Sequence, residues 1–144
     1  MPEEIYEVEI GKGNILKEGK DVTVVAVSYM VSEAQKAVME LAGAGIDAEL
    51  LDLRTVKPLD EELLLASVKK TGRLVVADVG WKTCGVAAEV SALVSENAFE
   101  YLKAPIRRVT LPDCPAPASA ILEKAFYRDS RDIVSAARQV TAKK

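Results

Sequence analysis

Hydrophobic and polar positions alternate along this chain with two different periods, and the switches between them mark the elements. Val22-Thr23-Val24-Val25-Ala26-Val27 is a β-branched, nearly continuous apolar run, the pattern of a strand buried on both faces of a parallel sheet. Ala34, Ala37, Val38 and Leu41 then recur at helical spacing and give one apolar face. Ser32 with Gln35 three residues later has the form of a capping box. Gly43 and Gly45 are placed to supply the left-handed exit of that helix.

The same succession repeats downstream. Ile46 to Leu53 reads as a second core strand, and Asp60 is placed to cap the helix that Pro58-Leu59-Asp60 opens. Glu61 and Glu62 suit the positive end of that helix, Lys69 and Lys70 the negative end before Gly72. Leu74 to Ala77 is a third core strand, Val86 to Leu102 has helical spacing, and Ile106 to Leu111 is a further strand. Pro112, Pro115 and Pro117 keep the next stretch irregular. Helices are expected at Ser119–Phe126 and Ser130–Thr141. Upstream, Asn14 to Lys17 reads as a short strand ended by a turn at Glu18–Asp21. Residues 1–13 read as an entry strap in which Tyr6, Val8 and Ile10 alternate, as they would if the strap lay extended on the domain. Strands alternating with helices imply right-handed crossovers and a mostly parallel sheet covered on both faces. The expected architecture is a three-layer α/β/α sandwich over residues 14–144.

Composition narrows the chemistry. The chain has 144 residues, 49% apolar and 28% charged, with a net charge of −3, and a domain of this length needs no disulfide or metal to fold. No apolar stretch approaches the roughly 20 residues of a membrane span, the acidic N-terminus is unlike a signal peptide, and no basic footprint for nucleic acid stands out. Arg107-Arg108 reads as strand-end charge reaching water. Cys84 and Cys114 read as free thiols in a cytoplasmic protein. There is no histidine, which excludes Ser-His-Asp and Cys-His catalysis and counts against a zinc site.

Ligands of open parallel sheets bind beyond the carboxyl ends of the strands. Four loops are expected there: Ser28-Tyr29-Met30, Arg54–Lys57, Asp78–Lys82 and Pro112-Asp113-Cys114. They carry Tyr29, Arg54, Asp78, Trp81, Lys82 and Asp113, and Trp, Tyr and Arg are the residues enriched at interface hot spots. These six are the candidate interface. The glycines form no phosphate-binding pattern, and Gly85 reads as permitting close helix–sheet packing rather than holding an anion. Asp78 is expected to cap or pair while Glu89 faces solvent, and Asp52 is expected to pair with Arg54. Cys84 lies near a helix start without a base partner. No catalytic, cofactor-binding or metal-binding residue is assigned.

Several segments resemble a known family. Ile10-Gly11-Lys12-Gly13, Glu18 to Val25, Met30 to Ala34, Gly45 to Glu49 and above all Asp52-Leu53-Arg54-Thr55-Val56-Lys57-Pro58-Leu59-Asp60 are similar to the transketolase C-terminal domain family. Phe99 to Val109 and Pro115-Ala116-Pro117 resemble, within it, the β subunit of the pyruvate or branched-chain 2-oxo-acid dehydrogenase decarboxylating component. Asp78-Val79 stands where transketolases usually carry Glu-His, and Cys84 precedes Gly85 where Gly is common.

The resemblance implies a five-stranded mixed sheet with the Asn14–Lys17 strand antiparallel at an edge. It also implies a division of labour in which thiamine diphosphate and magnesium belong to the full assembly rather than to this chain alone. The pyrimidine-binding domain and the α subunit would be the partners that hold them, and the dihydrolipoyl acyltransferase a further partner. This chain would assemble subunits and form a homodimer. The resemblance implies an upstream domain, with Met1 to Tyr6 where the linker to it would be, so that the chain is expected to be either a fragment or the product of a separate gene. The alternatives are the C-terminal part of a split transketolase or deoxyxylulose-phosphate synthase-like enzyme, and a stand-alone binding module.

Overall fold

The computed structural model describes residues 7–142; the start of the strap, with Tyr6, lies outside them. Five strands, β1 (Asn14–Lys17), β2 (Val22–Ala26), β3 (Ala48–Asp52), β4 (Leu74–Trp81) and β5 (Arg107–Leu111), form one sheet in the order β1-β3-β2-β4-β5. β1 runs antiparallel to β3, and the other pairings are parallel. The helices are α1 (Met30–Gly43), α2 (Glu61–Thr71), α3 (Val86–Asn97), α4 (Ala120–Phe126) and α5 (Ser130–Thr141), with a 3₁₀ turn at Phe99–Tyr101.

Period-two alternation sends successive side chains of each core strand to opposite layers. Val22, Val24, Ala26, Leu50, Val75, Ala77 and Val109 pack under α1 and α5 with Ala34, Val38, Leu41, Ile133 and Ala137. Val25, Leu51, Leu74 and Val76 face α2 and α3 with Leu64, Val68, Val90 and Val94. This is the expected three-layer sandwich, and the run from Val22 to Ala26 is apolar except for Thr23 because both of its faces are covered.

Sequence and structure differ at element ends. α1 begins at Met30 with Tyr29 at its N-cap and no side-chain cap; Ser32 sits inside the first turn, its hydroxyl donating back to the Tyr29 carbonyl at 2.9 Å. The Ser32–Gln35 pattern is therefore not a capping box. Gly45, with φ of 77°, makes the left-handed exit, while Gly43 ends the helix itself. β3 starts at Ala48, not Ile46. The long helix expected to reach Leu102 stops at Asn97, and the chain turns through Ala98 into the 3₁₀ turn. Val8 and Ile10 are exposed rather than laid on the domain.

Asp60 does cap α2, and it does more. Its Oδ1 accepts the Leu63 amide at 3.2 Å and its Oδ2 accepts the Gly13 amide at 3.1 Å, so one buried carboxylate fixes a helix start and the entering chain. Replacing Asp60 by alanine is expected to cost about 1–2 kcal/mol, read as a lower urea midpoint at unchanged slope.

Among the described residues, four carboxyls lie below their ordinary range. The Lys70 ammonium bonded to Glu18, the Lys36 ammonium bonded to Glu33, the Thr83 amide bonded to Asp113 and the Arg131 guanidinium bonded to Asp129 are the leading causes. Each is more acidic folded than unfolded, so the unfolded chain takes up more protons as the medium acidifies. Stability from these groups is complete above the ordinary carboxylate range, about 3.9–4.3, and is lost as pH falls through the lower folded values. Lys36 and Lys70 are raised, chiefly by their bonds to Glu33 and Glu18. Their contribution is complete below the ordinary lysine value of about 10.4 and is lost as pH rises through the folded values. With no histidine in the chain, the melting temperature is expected to stay level between about pH 5.5 and 8. Thermal scans across that range check this; a slope within it would contradict it.

Candidate functional site: the carboxyl edge of the sheet

The chain leaves β2 toward β3 and β4 toward β5, in opposite directions from adjacent strands. The crevice between the carboxyl ends of β2 and β4 is thus the switch point of the sheet, where open α/β folds place ligands. Ser28, Arg54 and Cys84, which follow β2, β3 and β4, have φ of 55°, 57° and 57°, and they are the non-glycine residues with positive φ among the described residues. Left-handed backbone costs a non-glycine residue energy and gathers at functional edges.

Around this edge stand exposed apolar side chains: Tyr29 at 60% of its full accessibility, Trp81 at 58%, and Ile121 and Leu122 of α4 at 81% and 58%. Tyr29, Val79, Lys124, Tyr127, Arg128 and Asp129 line a cleft of about 460 Å³. Its walls are fixed. Tyr29 donates to Glu33 Oε1 at 3.2 Å, and Glu33 Oε2 accepts the Ser130 amide at 3.1 Å, which ties the starts of α1 and α5 together. On the far side, Asp113 accepts from the Thr83 amide at 3.0 Å and the Thr83 hydroxyl at 2.8 Å, locking the β4 and β5 loops to each other.

Of the six candidate interface residues, Tyr29, Arg54, Trp81, Lys82 and Asp113 are exposed at this edge. Asp78 is not. β4 runs on to Trp81, so Asp78 is a strand residue, 4% exposed, and cannot meet a partner. It neither caps nor pairs: its Oδ2 is buried without a hydrogen-bond partner, and a Cβ on Gly80 would approach that oxygen to 2.7 Å. Glu89 faces solvent as expected. A Cβ on Gly85 would run into the Trp81 carbonyl oxygen, so the glycine permits close packing under α3, as its position suggested. Asp52 does not pair with the Arg54 guanidinium; its Oδ1 accepts the Arg54 amide at 3.0 Å, a turn that the positive φ of Arg54 makes possible.

Ile121, Leu122 and Tyr127 are the part of this surface that sequence reading missed. The Ile121-Leu122 pair in a short helix after three prolines was the available signal: only Phe126 of α4 is buried. Cys84 and Cys114 are free and exposed. Among the described residues no group of three or more His, Cys, Asp or Glu side chains is placed to hold a metal ion, and no helix is long and apolar enough to cross a membrane. The arrangement is suited to recognising another surface: rigid aromatic and aliphatic side chains on a braced edge.

The entering chain comes to the same place. The Gly11 amide donates to Thr55 Oγ1 at 3.1 Å and the Gly13 amide to Asp60, and β1 starts opposite Asp52, the last residue of β3. Residues 11–14 thus enter the domain at the carboxyl edge.

Comparison with known proteins bears on the family and the fold. The family model described as "Transketolase, C-terminal domain" matches residues 11–133. The mitochondrial pyruvate dehydrogenase E1 component subunit beta of Dictyostelium discoideum is 46% identical over 136 residues, covering 94% of this chain and 38% of that protein. The acetoin:2,6-dichlorophenolindophenol oxidoreductase subunit beta of Bacillus subtilis is 41% identical over 135 residues, 94% of this chain and 40% of the relative. Among solved structures, a split gene transketolase described as an inactive beta4 tetramer superposes with a TM-score of 0.84 at 32% identity, covering 94% of this chain and 44% of that one. The chain spans less than half the length of these relatives. It belongs to the transketolase C-terminal domain family.

Proposed function

We propose that this domain is the subunit-assembly and partner-docking part of a thiamine-diphosphate-dependent 2-oxo-acid dehydrogenase, the C-terminal part of the β subunit of its decarboxylating component, and that it catalyses nothing alone. The observation that carries this reading is the coincidence, at one edge, of the entry of the chain at Gly11 with exposed Tyr29, Trp81, Ile121 and Leu122. Apolar side chains gathered this way mark contact surfaces. The names of the relatives at 41–46% identity supply the enzyme class. The partners are the α subunit and the pyrimidine-binding domain, with the dihydrolipoyl acyltransferase recruited to the finished assembly. A homodimer is part of the same reading, and the β tetramer named for the split transketolase supports it.

The residues present do not fit thiamine diphosphate and magnesium. There is no glycine-rich phosphate loop, and the described residues include no carboxylate cluster for the metal. No catalytic step through the cofactor is derived for this chain; its place is with the partner domains. A second reading, the C-terminal part of a split transketolase, is favoured by the structural superposition.

The test is to mix the chain with separately produced pyrimidine-binding and α chains of the dehydrogenase and follow mass by light scattering. A single complex containing all three is expected. Complex formation only with the N-terminal half of a transketolase would replace the first reading with the second.

A further inference from the structure

The sheet ends at β5, and the geometry of that side differs from the carboxyl edge. The Lys82 amide donates to the Leu111 carbonyl at 3.2 Å, so Leu111 turns its main chain toward β4. Strand alternation then turns the main-chain groups of Arg108 and Thr110 outward, and the Thr110 carbonyl accordingly takes the Arg128 Nε at 3.1 Å. Open grooves flank this edge in both layers. Beside α3 lies one of about 710 Å³, walled mainly by Phe99, Leu102, Pro105 and Ile106, with Lys103 and Arg108 at its polar margin. Beside α5 lies one of about 470 Å³ that gathers Lys82, Arg107, Arg108 and Arg128 against one acid, Asp132.

Four cations face Asp132 and, beside Lys82, Asp113, a local excess of positive charge in a chain of net charge −3. Their internal partners are mostly carbonyls: Arg108 Nη1 donates to the Lys82 carbonyl at 2.9 Å, and Arg128 reaches Asp132 only at 3.8 Å. Cations on an edge strand ordinarily discourage pairing with another strand. Here they accompany a groove on each face of the strand, an arrangement that fits an added strand whose side chains point alternately into the two grooves.

We propose that β5 receives an extended segment of a partner chain in which acidic and apolar residues alternate. The acidic side chains meet Arg107, Arg128 and Lys82 on the α5 side, and the apolar ones enter the Phe99–Leu102–Ile106 groove on the α3 side. Main-chain bonds to Arg108 set the register, the buried Thr110 carbonyl being held by Arg128. The site runs along the side of the sheet, so it does not depend on which thiamine enzyme the domain serves.

A fluorescent peptide of alternating Glu and Val, its Lys/Val counterpart, and a Glu/Val peptide N-methylated on alternate amides are titrated onto the whole chain, with anisotropy as the readout. The Glu/Val peptide is expected to bind saturably and more weakly as salt rises, and the other two not to bind. The double substitution Arg107→Glu with Arg108→Glu is expected to weaken Glu/Val binding by about tenfold or more and to admit the Lys/Val peptide, with the melting temperature unchanged. If that variant melts early, Lys82→Glu, in the loop, gives the same comparison. Equal binding of the Glu/Val and Lys/Val peptides, undiminished binding by the charge-reversed variants, or undiminished binding of the N-methylated peptide would overturn the proposal.

Discussion

Replacing Glu49 by alanine is expected to lower the stability of the domain by about 3 kcal/mol, with a fall in melting temperature of roughly 10 °C. Glu49 is fully buried in β3, on the face under α2. Its Oε1 accepts the Ser67 hydroxyl at 2.5 Å, and its Oε2 accepts the Lys70 ammonium and, at 3.3 Å, the Gly19 amide. Behind Ser67 the chain of hydroxyls continues through Thr23, 2.7 Å away, to Thr71 at 2.8 Å. Alanine would leave three donors short of an acceptor and open a cavity beside them, and both losses are costly in a buried site.

Lys70 is partly exposed and also holds Glu18 at 2.8 Å, so water screens part of its pair with Glu49, and Lys70→Met is expected to cost less than Glu49→Ala. Glu49→Gln keeps the shape and one acceptor and should fall between wild type and alanine. Urea unfolding at unchanged slope is the check; a loss under about 1 kcal/mol for Glu49→Ala would show that the network is not a buried clamp.

The second large effect falls on association. Trp81→Ala and Leu122→Asp are each expected to weaken binding of the partner chains by about 30-fold, equivalent to roughly 2 kcal/mol, while shifting the melting temperature of the isolated domain little. Both side chains are more than half exposed, so the folded monomer loses little packing, whereas an interface loses an anchor. Isothermal titration with the assembled partners measures it. Unchanged affinity in both variants would move the docking surface away from the carboxyl edge.

The layers of this fold were readable because β2 and the first half of β4 are nearly continuous apolar runs. Val22 to Ala26 and Leu74 to Ala77 carry their burial in their composition, and the helices over them carry it in their spacing. Boundaries were harder for local reasons. Ser32-x-x-Gln35 has the composition of a cap, yet Met30 is drawn into the core and pulls the helix start three residues earlier.

Asp78 looked like a loop carboxylate because the apolar run stops at Ala77. The strand nevertheless continues to Trp81 through its pairing with β5, a tertiary effect that periodicity does not record. The candidate surface was half visible: Tyr29 and Trp81 were named by residue type and loop position. The exposure of Ile121 and Leu122 depends on how three prolines lead α4 away from the sheet, so it emerges only in three dimensions.

The antiparallel β1, expected from the family resemblance alone, pairs with β3 through Asn14 and Ile15. Its main consequence is functional, since it brings the start of the domain to the edge where the exposed side chains stand.

The most direct measurement is reconstitution. Decarboxylation of pyruvate and of a branched-chain 2-oxo acid is followed for this chain alone, for the pyrimidine-binding and α chains with thiamine diphosphate and magnesium, and for all of them together. The account predicts no turnover by the isolated chain, and turnover that requires the complete mixture and falls when Trp81 and Leu122 are substituted. Turnover by this chain alone, or full turnover by the partners without it, would contradict the account.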